Sequence, residues 1–323
     1  MNQKNVQIAI TGGTGLVGSH VMLKYCQEGM RIRALVRDPQ AAEKKIREVF
    51  SLYDDQPERL ISLIEFRASD LLDIFSLEEA LSGINSVIHC AGIVSGSSKN
   101  RKAMWDANVT GTSNIVNIAQ QQNLNWFCHI SSVSAFGERN ETEIEESLFW
   151  KYSPKLSDYA ISKYGAEREV WRAMEEGLSA VIISPSVVLG PSRENPSLNR
   201  FYKYLQKELP FYTNGITGYV DARDLAEVIF QLYLKKKTGE RYIVSAENRN
   251  FRDMLQMIAK AMNLKPPGKP APAIILKFLS LFYPALIRSV TSQKHYLNKK
   301  IIQEIGISFR TVEESIENMV RRD

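Results

Sequence analysis

Along roughly the first 185 positions, short apolar runs alternate with longer stretches whose apolar residues return every three or four places. The runs are NVQIAI (5–10), RIRALV (31–36), ISLIEF (61–66), SVIHCA (86–91), WFCHIS (126–131) and SAVIIS (179–184). Rich in Val, Ile and aromatics, they read as strands buried on both faces. The stretches between them predict helices near 16–28, 39–52, 76–82, 102–121 and 157–177. Strands separated by crossover helices imply a parallel sheet covered on both sides. Ser76-Leu-Glu-Glu79 and Thr311-Val-Glu-Glu314 have capping-box spacing and predict two helix starts.

After Pro185 the rhythm breaks. A loop is expected at 191–196, a helix at 197–208 and another at 222–235, followed by RYIVSA (241–246), a strand able to rejoin the sheet. The remainder is mostly helical beyond a proline-rich link, KPPGKPAP (265–272). The expected fold class is α/β: a Rossmann-type doubly wound parallel sheet with a smaller, mostly helical, discontinuous substrate lobe. The dinucleotide-binding part is expected at 1–185 with 219–247, and the substrate lobe at 186–218 with 248–323. The most apolar late segment, AIILKFLSLFYPAL (273–286), is expected to pack as a helix of that lobe. Weak contact of 273–287 with a membrane surface is the alternative.

Bulk properties mainly exclude. The chain has 323 residues, 44% of them hydrophobic and 24% charged, as in soluble globular proteins. The net charge of +5 is spread out, and the longest basic run is Lys235-Lys236-Lys237, so nucleic acid is not an expected partner. No run approaches the roughly 20 apolar residues that span a membrane. The first apolar run is too short for a signal segment. Cys26, Cys90 and Cys128 are odd in number and far apart, which argues against a disulfide framework and for a reducing, cytoplasmic setting. His20, His89, His129 and His295 lack ligand spacing, so no metal is expected. His89 and His129 sit in apolar runs and read as satisfied core histidines.

Candidate chemistry concentrates at the strand ends. Thr11 to Gly18 reads TGGTGLVG, with Gly12, Gly15 and Gly18 spaced three apart between the first strand and first helix. Such a turn brings backbone N–H groups and a helix N-terminus to a pyrophosphate, with Thr14, Leu16 and Val17 completing it. The second strand ends in Arg37-Asp38. A guanidinium there suits a 2′-phosphate and a carboxylate suits free ribose hydroxyls. Arg37 favours NADP(H), and Asp38 leaves NAD(H) open. Asp70 and Leu71 follow the third strand and suit adenine. Cys90, Ala91 and Gly92 end the fourth, small enough to lie against a cofactor.

Tyr-x-x-x-Lys occurs three times: Tyr159/Lys163, Tyr233/Lys237 and Tyr296/Lys300. Only Tyr159 lies one connection after a Ser-Ser strand end. Residues four apart share a helix face, so Lys163 stands beside Tyr159. A free tyrosine titrates near pH 10, and a neighbouring ammonium with the positive nicotinamide of an oxidised cofactor is expected to lower that value toward an acid–base role. Ser132 is placed to hydrogen-bond the substrate oxygen.

With these motifs in order (TGGTGLVG, RALVRDP, ASDLLD, VIHCAG, NVTGT, HISSVSAFG, YAISK, PSVVLGP, YVDARDLA), the chain resembles the extended short-chain dehydrogenase/reductase superfamily. That resemblance implies an active set of Asn108, Ser132, Tyr159 and Lys163. The lysine would also bond the nicotinamide ribose, and the asparagine would support a relay water. Pro185, Ser186 and Val187 match the segment facing the nicotinamide. Within the superfamily, VRDP and the pattern around 299–316 look most like the dihydroflavonol-reductase-like and 3β-hydroxysteroid-dehydrogenase-like branch. The resemblance therefore implies a reductase of a small-molecule ketone or aldehyde. One alternative is an NAD-dependent nucleotide-sugar 4-epimerase, which would draw on Arg193, Arg200 or Arg249 for a pyrophosphate. A non-catalytic NADP(H)-binding sensor is another, though such proteins commonly lack the Tyr/Lys pair. Val133-Ser134 after Ser132 disfavours sugar-nucleotide dehydration. The helices at 102–121 and 157–177 are where the family commonly dimerises, so a homodimer is a further expectation.

Overall fold

The structure, a computed structural model, describes residues 7–191 and 203–322. Its centre is a seven-stranded parallel sheet. The first five strands are β1 (Ile8–Thr11), β2 (Ile32–Val36), β3 (Ile64–Ala68), β4 (Ser86–His89) and β5 (Trp126–Ile130). The order across the sheet is Glu240–Val244, Ala180–Pro185, β5, β4, β1, β2, β3. The late strand thus rejoins the sheet at one edge. Ile8 lies opposite both Ile32 and Ser86, so β1 is central and every one of its positions is buried. This burial on both faces is why the strand sequences read as unbroken apolar runs rather than alternating ones.

The expected helices recur in order with a short unexpected one, Pro57–Ile61, between the second and third, and two of the expected ones differ in form. The helix expected from Ser76 starts earlier, at Ile74–Leu81, and its cap is Asp73, whose carboxylate accepts from the N–H groups of Phe75 and Ser76. Asp73 precedes the first turn and offers a charged acceptor, so it takes the cap that the Ser76 spacing suggested. The helix expected over 102–121 is interrupted: Arg101–Trp105 and Gly111–Gln121 flank a π-helical turn, Asp106–Thr110. The capping box at Thr311 forms as read, with Glu314 N–H donating to Thr311 Oγ1 (3.2 Å) and Thr311 N–H to Glu314 (2.9 Å). The loop expected after Pro191 and the first part of the 197–208 helix lie outside the described residues, and the chain is helical over 203–206.

The chain divides into two compact units. The first comprises 1–135, 158–184 and 225–242. One of its core layers joins Leu77, Leu81, Ile115, Ile118, Phe127 and Val170 between sheet and helices. The second comprises 136–157, 185–224 and 243–323. It holds a three-stranded sheet of Glu247–Asn250, Ile216–Asp221 and Val187–Leu189. Helices Phe251–Ala261 and Val312–Arg322 pack there through Met254, Ile258, Val312 and Ile316. Asp224, also buried, is held by Arg310 through both its backbone N–H (2.7 Å) and its guanidinium. Among the described residues no helix is long and apolar enough to cross a membrane.

Candidate active site

The turn between β1 and helix Leu16–Gln27 is built on glycine by necessity. Gly12 has φ +68°, and a Cβ there would sit 2.6 Å from the backbone of Ala91. A Cβ on Gly18 would come within 2.3 Å of Gly12 O. Any larger residue at either place would push the turn away from β4 or from its own helix. Thr14 and Gly15 are exposed at the tip, and Leu16 and Val17 are half-buried. The helix N-terminus beside them has no side-chain cap and no acidic residue in its first turn. Its orphan N–H groups and positive dipole end therefore face outward without a competing anion, which fits a dinucleotide pyrophosphate.

Past β2, Asp38 caps helix Pro39–Phe50, accepting from Ala41 N–H at 3.0 Å. Arg37 is exposed and makes no side-chain hydrogen bond or ion pair with a described residue. One of the two charges proposed for the ribose is thus engaged locally and the other is free. Asp70 is exposed, and its carboxylate accepts from Leu72 N–H at 2.9 Å, closing a tight turn. Leu71 is fixed behind it by Asn114, which donates to Leu71 O at 2.8 Å. Cys90 and Ala91 are half-buried, and burial pushes the Cys90 thiol up to about 12, so it is inert at neutral pH.

Tyr159 and Lys163 lie on helix Asp158–Glu175, whose start is pinned by Asp158 and Arg101, 3.2 Å apart. The Tyr159 phenol is acted on by the Ser132 hydroxyl, just past the end of β5, which favours its ionised form. Lys163 is buried and donates from Nζ to Ile130 O at 2.7 Å. Burial lowers the Lys163 ammonium to about 8, against the opposing pull of Glu167 and Cys90. In the chain by itself, burial pushes the Tyr159 phenol up and Ser132 pulls the other way. The reason is geometric. Lys163 gives one hydrogen bond to a backbone carbonyl, while Tyr159 is half-buried, which disfavours the phenolate.

Asn108 projects from the π-helical turn and is buried. Its Oδ1 accepts from Ile93 N–H (2.7 Å), and its Nδ2 donates to Ile93 O (3.0 Å) and Ser162 Oγ (2.9 Å). Ser162 Oγ in turn donates to Tyr159 O at 2.9 Å. The asparagine is thereby a brace between the segment after Gly92 and the Tyr159 helix. Gly92 itself lies against both Asn108 and Lys163. Pro185, Ser186 and Val187 fall in the second unit, where Ser186 N–H donates to Val244 O at 3.0 Å.

A second line of bonds runs behind these groups. Ala91 N–H donates to Thr11 Oγ1 (3.2 Å), and Thr11 lies 2.8 Å from His89 Nδ1. His89 Nε2 lies 3.0 Å from Thr112 Oγ1, which donates to Asn108 O at 2.6 Å. Only one assignment satisfies every link: Thr11 donates to Nδ1, and Nε2 carries the proton and donates to Thr112. His89 is then neutral, as its burial and the Lys163 charge require by lowering it to about 3. The expectation of a satisfied histidine holds for His89 and fails for His129. His129 pairs with His89 across the strands and stacks on it at 5.5 Å, yet neither of its ring nitrogens has a partner among the described residues. The two hydroxyls that serve this layer are both taken by His89.

Sequence reading passed over Glu167. It is fully buried, accepts from Ser184 Oγ (3.2 Å) and pairs with Arg241 (3.1 Å). Its signal was the spacing: Tyr159, Lys163 and Glu167 recur at four-residue steps on one helix face, next to buried Ala160, Ala166 and Val170. Burial pushes the Glu167 carboxyl up, and the Arg241 charge opposes it. The other two Tyr-x-x-x-Lys pairs have structural surroundings. Tyr233 packs edge-on against Trp126 at 5.3 Å. Tyr296 lies in a short strand of the second unit, its phenol raised to about 12 by burial. Arg249, offered for a sugar-nucleotide pyrophosphate, pairs with Glu247 at 2.8 Å, and Arg193 and Arg200 lie outside the described residues.

The pattern shared by the NAD-dependent epimerase/dehydratase family matches residues 8–245. A putative dihydroflavonol 4-reductase from Synechocystis is 26% identical over 96% of this chain and 92% of its own length. Cinnamoyl-CoA reductase 1 from Petunia hybrida is 28% identical, covering 78% of this chain and 76% of its own. Among solved structures, that of gox2253 superposes with a TM-score of 0.81 at 26% identity, covering 98% of each chain.

Proposed function

Because the chain belongs to the NAD-dependent epimerase/dehydratase family, and so is an NAD(P)-dependent oxidoreductase or epimerase, we propose that it reduces a ketone or aldehyde with NADP(H). The observation that carries this reading is Tyr159 together with Ser132 past a strand end, with Lys163 buried one turn on and held by Ile130 O. The bound dinucleotide supplies the hydride. Tyr159 holds its phenolic proton at neutral pH, because burial keeps the phenol above its ordinary range. Ser132 and Tyr159 together orient the substrate oxygen, and Tyr159 gives it the proton. The Lys163 ammonium has two donors left after Ile130 O, which suit the ribose hydroxyls and the phenolate as it forms. Asn108 holds the Ile93 turn against the Tyr159 helix and keeps one Oδ1 lone pair for a water.

For the cofactor, Gly12, Gly15 and Gly18 suit the pyrophosphate, and Asp70 with Leu71 suits adenine. Arg37 suits a 2′-phosphate, since Asp38 is already committed to its helix cap. The resemblance to a dihydroflavonol reductase and to cinnamoyl-CoA reductases supports a small-molecule carbonyl substrate. Free Cys26, Cys90 and Cys128 suit a reducing, cytoplasmic setting.

The test is NADPH consumption across a panel of aromatic and alicyclic ketones and aldehydes, with wild type beside Tyr159→Phe. Turnover of panel members that disappears in the variant supports the reading. Turnover unchanged in Tyr159→Phe removes the proton donor and with it the proposal.

A further inference from the structure

Helix Ala273–Phe282 buries none of its residues. Ile274, Phe278, Leu281 and Phe282 are 79%, 60%, 75% and 64% exposed, and Ile275 is exposed as well. Positions 274, 275, 278, 281 and 282 fall on one helical stripe. The helix is apolar on both sides, with Leu276 and Leu279 half-buried and this stripe turned to solvent. Phe278 and Phe282 meet edge to face at 5.4 Å along that line. The face continues through exposed Tyr283 and Leu286 into helix Pro284–Thr291. A contiguous apolar surface of this kind marks an interaction site.

Charge along the chain says what covers it. From Met254 to Gln303 there is no Asp or Glu, while Lys260, Lys265, Lys269, Lys277, Arg288, Lys294, Lys299 and Lys300 fall in the same span. Several of these cations are engaged: Arg288 pairs with Glu138, Lys260 with Glu313, and Lys294 donates to Arg139 O and Glu141 O. Lys265, Lys269 and Lys277 are exposed, and their side chains make no bond with a described residue. Lys277 thus lies on the helix beside the apolar stripe, and Lys269 and Lys265 precede that helix in the same acid-free span. A second copy of the chain in a two-fold contact would set the same unneutralised patch against itself. An anionic lipid surface meets both needs, its boundary region accepting the stripe and its headgroups the lysines. A ten-residue helix is about 15 Å long, suited to lying in that boundary rather than crossing a bilayer. Tyr283 at the end of the stripe is a residue type enriched at that depth.

We infer that the segment 273–286 docks the protein on an anionic lipid surface, with Lys265, Lys269 and Lys277 against the headgroups. The test is flotation of the full chain with phosphatidylcholine vesicles, with and without phosphatidylglycerol. Binding is expected only to the phosphatidylglycerol vesicles, and is expected to fall with added salt. The Phe278→Ser/Leu281→Ser variant should lose about tenfold or more in partitioning. Each Lys→Gln change at 265, 269 or 277 should lose roughly fivefold. All of these positions are exposed, so NADPH binding and the melting temperature should hold and certify the fold. Failure to float with phosphatidylglycerol vesicles would overturn the inference. So would a dimer, seen by light scattering, that Phe278→Ser/Leu281→Ser dissolves in the absence of any vesicle binding, since the face would then belong to a second copy.

Discussion

The inner face of helix Asp158–Glu175 and the outer face of helix Ala273–Phe282 depart from ordinary patterning in opposite directions. The first buries ionisable side chains, Lys163 and Glu167, and the second exposes large apolar ones. Each departure costs free energy, but only the first is compensated within the chain. Lys163 has Ile130 O, and Glu167 has Arg241 and Ser184. Buried charge that has partners within the chain is built to be kept, and here it lies behind the proposed proton donor. Exposed apolar surface with no cover is built to meet something else. Compensation, rather than burial alone, separates a site that is complete in itself from one that waits for a partner.

Substitutions can break this contrast at graded strengths. The largest effect is expected at Tyr159→Phe, which removes the proton and nothing of the fold. Turnover should fall by roughly 10²–10⁴ while NADPH affinity, followed by fluorescence, stays close to wild type. Next comes Glu167→Ala, which takes the buried carboxylate away from Arg241 and from Ser184 Oγ. A loss of about 3–5 kcal/mol is expected in urea unfolding. A change within experimental error would show that water reaches the pair and that the burial contrast is false.

Glu167→Gln sharpens the point, because it keeps the shape and removes the charge. Lys163 is protonated below about 8, and Glu167 holds that value up. In wild type, kcat/KM for NADPH, which reports the free enzyme, should fall as pH rises through about 8. In Glu167→Gln the falling limb should move to lower pH. A limb that stays in place would separate Glu167 from Lys163. Arg37→Ala should weaken NADPH by roughly 1.5–3 kcal/mol and leave NADH nearly unchanged in the same titration. The smallest effect is expected at the other end of the comparison. Phe278→Ser should shift unfolding free energy by no more than about 0.5 kcal/mol, since the ring covers no core. A loss of core size would mean that this face is packed in solution.

Much of this was legible in the sequence, and the gaps have a common cause. Strand runs such as SVIHCA and WFCHIS declare themselves because both faces of a parallel strand are buried. The glycine turn is legible because Gly12 and Gly18 are steric requirements. Tyr159 could be chosen over Tyr233 and Tyr296 by its place after the Ser-Ser strand end. What escaped depends on contacts between distant parts of the chain. Glu167 needs Arg241, 74 positions away, to be tolerated. His129 differs from His89 only in which neighbours reach it. The outward turn of Ile274 and Phe278 could not be read, because a helical stripe does not say which way it faces.

The most direct measurement is a fluorescence titration of the purified chain with NADPH and with NADH, after assaying what nicotinamide it carries. An empty site that binds NADPH at least about tenfold more tightly than NADH is the predicted result, the least that one charge-assisted contact at Arg37 should give. Retained NAD, or equal affinity for the two, would contradict the account and turn it toward a reaction in which hydride leaves and returns within one bound cofactor.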